Sequence, residues 1–466
     1  MSSAQFLTRP KILPPLDQSF MPASLYNKSF RLALGQEGQP IALGLERTDG
    51  EVSRVILSIF PEESANSFHN NFYIERMVKF LLWQRGGWKL YIGGSKSIGD
   101  LLFNEYSKNG KRKFDSAFLG QQVYERDFEV ITCGIEQVPA SNENGKPLGR
   151  HLNGYRIGFD LGASDRKVSA VINGKVVYSE EVNWEPRKHK NPDYHYDQLM
   201  AAIKSAASKL PRVDAIGGSS AGIYINNRPM VASIFRGIPP EKFGEITNLF
   251  IRIQDELGVP LDVINDGDVT ALAGSMSLED NAILGIAMGS SLAAGYVDKE
   301  GHIKGWLNEL AFAPIDYQEH GPVEEWSGDK GCGASYLSQQ CVFRLADKAG
   351  IAIPDSMLDA EKLAFIQSKL EAGNQNALLI WQTMGVYLGY ALAHYSQFYD
   401  IKHVLILGRC TSGIGGVILL DQANLVLEKE FLELRHIINV QLPDEHSRRI
   451  GQSIAAASLP VLKEGK

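Results

Sequence analysis

Cysteine is scarce in this sequence. Cys133, Cys332, Cys341 and Cys410 are scattered through 466 residues, too few and too spread for a disulfide framework. None belongs to a CxxC pair or stands with histidines at zinc spacing. No Walker A run and no GxGxxG follows an apolar strand, so P-loop and Rossmann readings lack their signatures. The opening stretch, MSSAQFLTRPKILPPLDQSF, has no apolar signal-peptide core, and a cytoplasmic location is expected. Positive charge is not in surplus either: 47 Lys and Arg face 54 Asp and Glu, a formal net charge of −7. That balance disfavours a chain built to grip nucleic-acid backbones. The run from Ala377 to Phe398 comes nearest to a membrane span. Gln382, His394 and Gln397 interrupt it and no basic flank marks an inside end. A buried core helix with His394 as a core histidine is the expectation, without a membrane partner.

The chain is 44% hydrophobic and 22% charged, the composition of an ordinary globular protein with several domains. Residues 1–30 are rich in proline and polar residues and read as an extended arm. Residues 38–135 read as a small α+β unit. There, 41–47 and 53–60 form a hairpin around Thr48-Asp49-Gly50, 71–83 a helix and 89–94 a strand. The basic run 108–113, KNGKRK, reads as a solvated turn. A polar stretch, 139–154, reads as a linker.

Beyond it, apolar strands alternate with helices, which predicts an α/β protein. YRIGFDLGAS (155–164) is a strand running into a small-residue turn. KVSAVI and KVVYSEEV flank Asn173-Gly174, a strong hairpin signal. Residues 196–210 read as a helix, 213–222 as a strand entering a loop of small residues, and 241–257 as one amphipathic helix. PLDVIND (260–266) is a strand ending in a carboxylate, with Asp268 placed to cap the helix that follows. Three strands open into Gly, Ser and Ala after Phe159, Met288 and Leu407. Loops of that kind, at the carboxyl ends of α/β strands, let backbone N–H groups approach a polyanion.

The ordered set of these segments resembles the ROK family (repressors, open reading frames, sugar kinases) of the actin/hexokinase/Hsp70 superfamily. Asp160-Leu161-Gly162-Ala163-Ser164-Asp165 is similar to the first phosphate motif, DxGGT. Asn265 to Ala273 is similar to NDANAAALA, Met288 to Gly295 to the second phosphate loop, Asn308 to Phe312 to GEIGH, Gly331 to Tyr336 to GCLEAY, and Val404 to Gly413 to the adenosine strand and loop. The order holds from about residue 154 to 460, roughly two-thirds of the chain.

The resemblance implies two ribonuclease-H-like lobes of an actin-like ATPase fold with a central cleft, beside a small N-terminal α+β domain. The implied divisions are 1–150 for the accessory domain, 151–266 with helix 447–460 for the small lobe, and 267–446 for the large lobe. It implies an ATP-dependent sugar kinase that also takes Mg²⁺. Asp266 would be the general base, with Asn265, Glu309 and Gly222 at the sugar. Asp160 would hold Mg²⁺ through water. Gly162, Ala163, Ser164, Gly289 and Ser290 would cradle phosphates, and Gly408 and Gly413 would line the adenosine. A homo-oligomer is expected.

The departures are specific. The GEIGH histidine, a zinc ligand, falls on Phe312. Two cysteines of the zinc motif fall on Glu325 and Ser327, leaving Cys332, so no zinc site is expected. The glutamate of GCLE falls on Ala334, and Glu319, His320, Glu324 and Glu325 are nearby carboxylate and imidazole substitutes. Ser291, Ala293 and Ala294 replace glycines, which costs on the order of 1 kcal/mol wherever positive φ is needed. These losses keep open a second reading, a catalytically silent sugar- or nucleotide-binding regulator. An Hsp70- or actin-like ATPase is a third.

Overall fold

The computed structural model describes residue 6 and residues 8–143, 148–443 and 445–462. Internal contacts divide the chain into two compact units. One holds residues 1–144, 286–294 and 306–442; the other holds 145–285, 295–305 and 443–466. The N-terminal segment shares a unit with residues 306–442.

In the first unit, β1 (Gln39–Glu46), β2 (Val52–Ile59), β3 (Lys89–Gly93) and β4 (Glu129–Cys133) form a sheet of order β2-β1-β3-β4. The expected hairpin is there, with Glu46 opposite Val52. The expected helix runs from His69 to Arg85 and is buried along nearly its whole length. The arm is only partly extended. Ala23–Leu34 is a helix whose Tyr26, Phe30 and Leu34 are buried. Before it the chain is irregular but tied down: Leu16 N–H donates to Thr383 Oγ1 at 3.1 Å and Tyr387 Oη to Asp17 at 2.6 Å. A proline-rich stretch can be ordered where side chains satisfy its backbone.

The second unit carries β5 (Tyr155–Leu161), β6 (Asp165–Ile172), β7 (Lys175–Asn183) and β8 (Ala215–Ser220). A short hairpin follows, β9 (Ile223–Ile225) with β10 (Arg228–Val231), and then β11 (Leu261–Asn265). The sheet order is β11-β8-β5-β6-β7. The hairpin at Asn173-Gly174 forms with both residues at positive φ, 46° and 79°, as a two-residue turn between twisted strands requires. Strands β5, β8 and β11 are parallel. Ile157, Phe159, Ile216 and Val263 from these strands pack with Leu199, Ile203, Phe250 and Ile253 from the helices as its core. The amphipathic stretch 241–257 is two helices, Phe243–Thr247 and Leu249–Leu257. Thr247 Oγ1 and Asn248 Nδ2 donate back to the Phe243 and Gly244 carbonyls, the competition that ends a helix early.

The last sheet joins β12 (Ile283–Met288), β13 (Leu292–Val297), β14 (His403–Leu407) and β15 (Asn439–Gln441) in the order β13-β12-β14-β15. Helix Gln375–Tyr395 lies buried over most of its length, His394 included. Burial pushes the His394 imidazole down to about 3, so it is a neutral core histidine, as expected. Among the described residues no helix is long and apolar enough to cross a membrane.

Candidate functional site

Three parallel strands end together. In their register Leu161 of β5 stands opposite Ser220 of β8, and Ser220 stands opposite Asn265 of β11. Asp160 lies one position before that edge and Asp266 one position beyond it. Both carboxylates therefore sit at the carboxyl end of a parallel sheet, where α/β proteins collect their ligands.

Asp266 is the first residue of helix Asp266–Leu278, and the cap is Asn265, not Asp268. Asn265 Oδ1 accepts from Gly267 N–H at 2.7 Å, and its Nδ2 donates to the Gly222 carbonyl at 2.8 Å. Two of the three residues assigned to the sugar, Asn265 and Gly222, are thus brought together, but they bind each other. Gly222 is at φ 133°, and a Cβ there would lie 2.4 Å from the Val231 carbonyl oxygen, so only glycine fits. Asp268 is buried and accepts from the Tyr296 N–H at 3.1 Å.

Asp266 is half-buried, and its carboxyl is pushed up to about 6, by desolvation first and by the Asp160 charge second. Asp160 is also raised, by desolvation, while a hydrogen bond from Ser219 and the Lys167 charge pull it down. Two raised carboxyls at one strand edge mark a functional-site candidate. Beside it, the buried Tyr224 hydroxyl feels the Asp266 charge. Neither it nor the buried Ser220 hydroxyl makes a hydrogen bond of normal geometry among the described residues. Sequence reasoning missed Ser219, Ser220 and Tyr224, because serines in a small-residue run read only as a loop.

The Gly162-Ala163-Ser164 turn joins β5 to β6. Gly162 N–H donates to the Asp165 carbonyl at 2.9 Å, its own carbonyl accepts from Trp184 Nε1, and Ser164 Oγ donates to Asp165. Ala163 and Ser164 are exposed at its tip.

In the other unit, Gly289 and Ser290 lie in the β12–β13 loop. Gly289 has no atom within 3.8 Å of a built Cβ, so bulky groups do not fill the space beside it. None of Ser290, Ser291, Ala293 and Ala294 is at positive φ; the lost glycines cost no backbone strain. Gly408, at φ 102°, lets the turn after β14 lie against the Met288 backbone, where a Cβ would come within 2.5 Å of the Met288 carbonyl oxygen. Gly413 precedes helix Ile414–Glu430 at φ 62°. Glu309 is half-buried, and its N–H donates to the Trp83 carbonyl at 2.9 Å.

The substitute residues fare differently. Glu324 is buried and spends its carboxylate on Trp326 N–H and on Ser327 N–H and Oγ. Glu319, His320 and Glu325 are exposed. Phe312, at the position of the resemblance's histidine ligand, stacks on Trp83 with ring centroids 4.3 Å apart. Cys332 is buried near Asp329. Among the described residues no group of three His, Cys, Asp or Glu is arranged to hold a metal ion. The hard oxygens of Asp160 suit Mg²⁺, which takes one or two protein carboxylates and completes its shell with water and phosphate.

No protein-family model matches the sequence, and no curated protein matches it. Solved structures do. A ROK hexokinase from Thermus thermophilus superposes with a TM-score of 0.52 at 16% identity, over 65% of this chain and 98% of that one. This chain has the ROK fold. A ROK family transcriptional regulator, a homolog of the E. coli MLC protein, superposes with a TM-score of 0.51 at 18% identity, over 66% of this chain and 79% of that one. The same fold thus serves a kinase and a regulator, so activity has to be argued from the site.

Proposed function

We propose that the chain is a ROK-type carbohydrate kinase that transfers the terminal phosphoryl group of ATP to a sugar hydroxyl, with Asp266 as general base. The observation that carries this is the Asp266–Asp160 pair at the carboxyl edge of β5, β8 and β11. A carboxyl raised to about 6 is ionised at neutral pH yet basic enough to accept a hydroxyl proton as the oxygen attacks. Asp160 is the residue to hold Mg²⁺, which supplies charge neutralisation at the phosphates when bound. Ala163, Ser164, Gly289 and Ser290 are small and belong to turns open enough for phosphate approach. Gly408 and Gly413 shape the adenosine end. Glu309 is the remaining carboxylate for sugar hydroxyls. Asn265 acts indirectly: it fixes the start of the helix that carries Asp266.

A second reading, a sugar- or nucleotide-binding regulator without turnover, draws on the same Asn265, whose amide nitrogen donates to Gly222 and whose oxygen accepts from Gly267. One experiment separates the two. The protein is mixed with Mg-ATP and a panel of hexoses and hexose derivatives, and ADP release is followed. Sugar-stimulated ADP that disappears in Asp266→Asn supports the kinase. Equal, sugar-independent traces for wild type and variant, with sugar binding retained by calorimetry, support the regulator.

A further inference from the structure

Helix His69–Arg85, in the N-terminal segment that the resemblance leaves without a role, grips residues 308–332 at three separate places. Its last turn accepts two hydrogen bonds: Asn308 N–H donates to the Gln84 carbonyl at 2.9 Å and Glu309 N–H to the Trp83 carbonyl at 2.9 Å. The Trp83 ring stacks on Phe312, with Phe114 and Phe118 around the pair. One face of the helix presents Arg76 and Lys79 to Asp329, at 3.0 and 3.3 Å, and Arg112 completes the grip at 2.9 Å.

That last contact is a closed set of buried charges. Arg76, Lys79 and Arg112 face Glu75, Asp115 and Asp329, three cations against three carboxylates, all buried except the half-buried Asp329. A balanced, hydrogen-bonded set of that kind holds one geometry, because any displacement leaves a charge desolvated and alone. Asn308 itself is at φ 52°, a conformation that needs support from its surroundings. The support is visible: its N–H is held by Gln84 and its Oδ1 accepts from Tyr399 Oη at 2.9 Å.

We propose that helix His69–Arg85 is a positioning element for Glu309, so that the N-terminal segment sets how the protein binds its sugar. Trp83, Phe312 and Asp329 are positioning residues; they act through the backbone of 308–312. The consequence for sugar rests on the kinase or sugar-binding reading above. The grip itself does not.

The test is a double-mutant cycle with Phe312→Leu and Glu309→Gln, read in two ways. Hydrogen exchange comes first, because it needs no activity. Phe312→Leu is expected to speed exchange of the 308–312 amides at least tenfold while the β14 amides stay within twofold of wild type. Unchanged exchange at 308–312 overturns the proposal. Sugar and ATP saturation come second. Phe312→Leu is expected to raise the sugar KM about tenfold and the ATP KM less than twofold, and the double variant to match Glu309→Gln alone, as coupled residues do. Additive effects, or equal rises for both substrates, overturn it. Should Phe312→Leu fail to fold, Trp83→Phe takes its place in both readouts, against a wild type assayed in parallel. A wild type that binds and turns over no sugar removes the kinase reading, and the exchange result then decides the grip by itself.

Discussion

Two groups of buried or half-buried carboxylates in this molecule are treated in opposite ways. Around Asp329, the carboxylates of Glu75, Asp115 and Asp329 each meet a cation: Arg76 and Lys79 overcome the desolvation that would raise Asp329 and hold its carboxyl below the usual range. At Asp266, desolvation and the charge of another carboxylate, Asp160, push the carboxyl up to about 6. One group is neutralised and holds the chain in place. The other keeps its charges in conflict, an arrangement that costs stability and that proteins retain where chemistry or a ligand needs it.

Breaking the second group is expected to give the largest effect. Asp266→Asn removes the base and should lower sugar-dependent turnover by about 10²–10⁴-fold, measured as ADP release at saturating substrates. Breaking the first group acts on the fold instead. Asp329→Asn leaves three buried cations with two carboxylates and should destabilise by about 3–5 kcal/mol, read from urea denaturation. If Asp329→Asn proved as stable as wild type, the contrast between the two groups would fail.

The pH dependence sharpens the same contrast. The Asp266 carboxyl has a folded value of about 6 against an unfolded value of about 3.9. Between them the unfolded chain has released its proton and the folded chain has not, so this group lowers stability as pH rises from about 4 to 6. Asp329 has the opposite sign: its depressed carboxyl contributes stability above the unfolded value, lost as pH falls through the folded one. In metal-free buffer Asp266→Asn should therefore melt higher than wild type at pH 7 and converge with it near pH 4. A variant that melts lower at pH 7 would show that the carboxylate pair is not in conflict. The smallest effect belongs to Asn265→Ala, which removes a helix cap and should cost about 1 kcal/mol, seen as a modest fall in melting temperature.

Part of this was legible in the chain. The Asn173-Gly174 hairpin, the β1–β2 hairpin and the helix inside 71–83 follow from local patterns of turn residues and apolar spacing. The small-residue strand ends after Phe159, Met288 and Leu407, with the strand ending in Asp266, point in the sequence to candidate ligand loops, because backbone approach requires small residues whatever the fold. Less legible were the partners. Arg112 lies in a run that reads as a solvated loop, yet it is buried and ion-paired; nothing local distinguishes it from Lys108 or Lys111. The sequence offers Asp268 as the cap, but the cap is Asn265, because an Asn one residue before the helix reaches the Gly267 N–H while Asp268 turns to Tyr296.

The sequence by itself determined the alternation of strands and helices, the chemistry of the strand-end loops and the presence of a carboxylate at 266, since each depends on residues close together in the chain. Only the tertiary structure decided that Asp160 and Asp266 share one edge, that Asn265 and Gly222 bind each other, and that helix His69–Arg85 holds the segment bearing Glu309. Those pairings join residues tens to hundreds of positions apart. Burial, which sets both the strength of a charge and the cost of leaving it alone, exists only once the chain has folded.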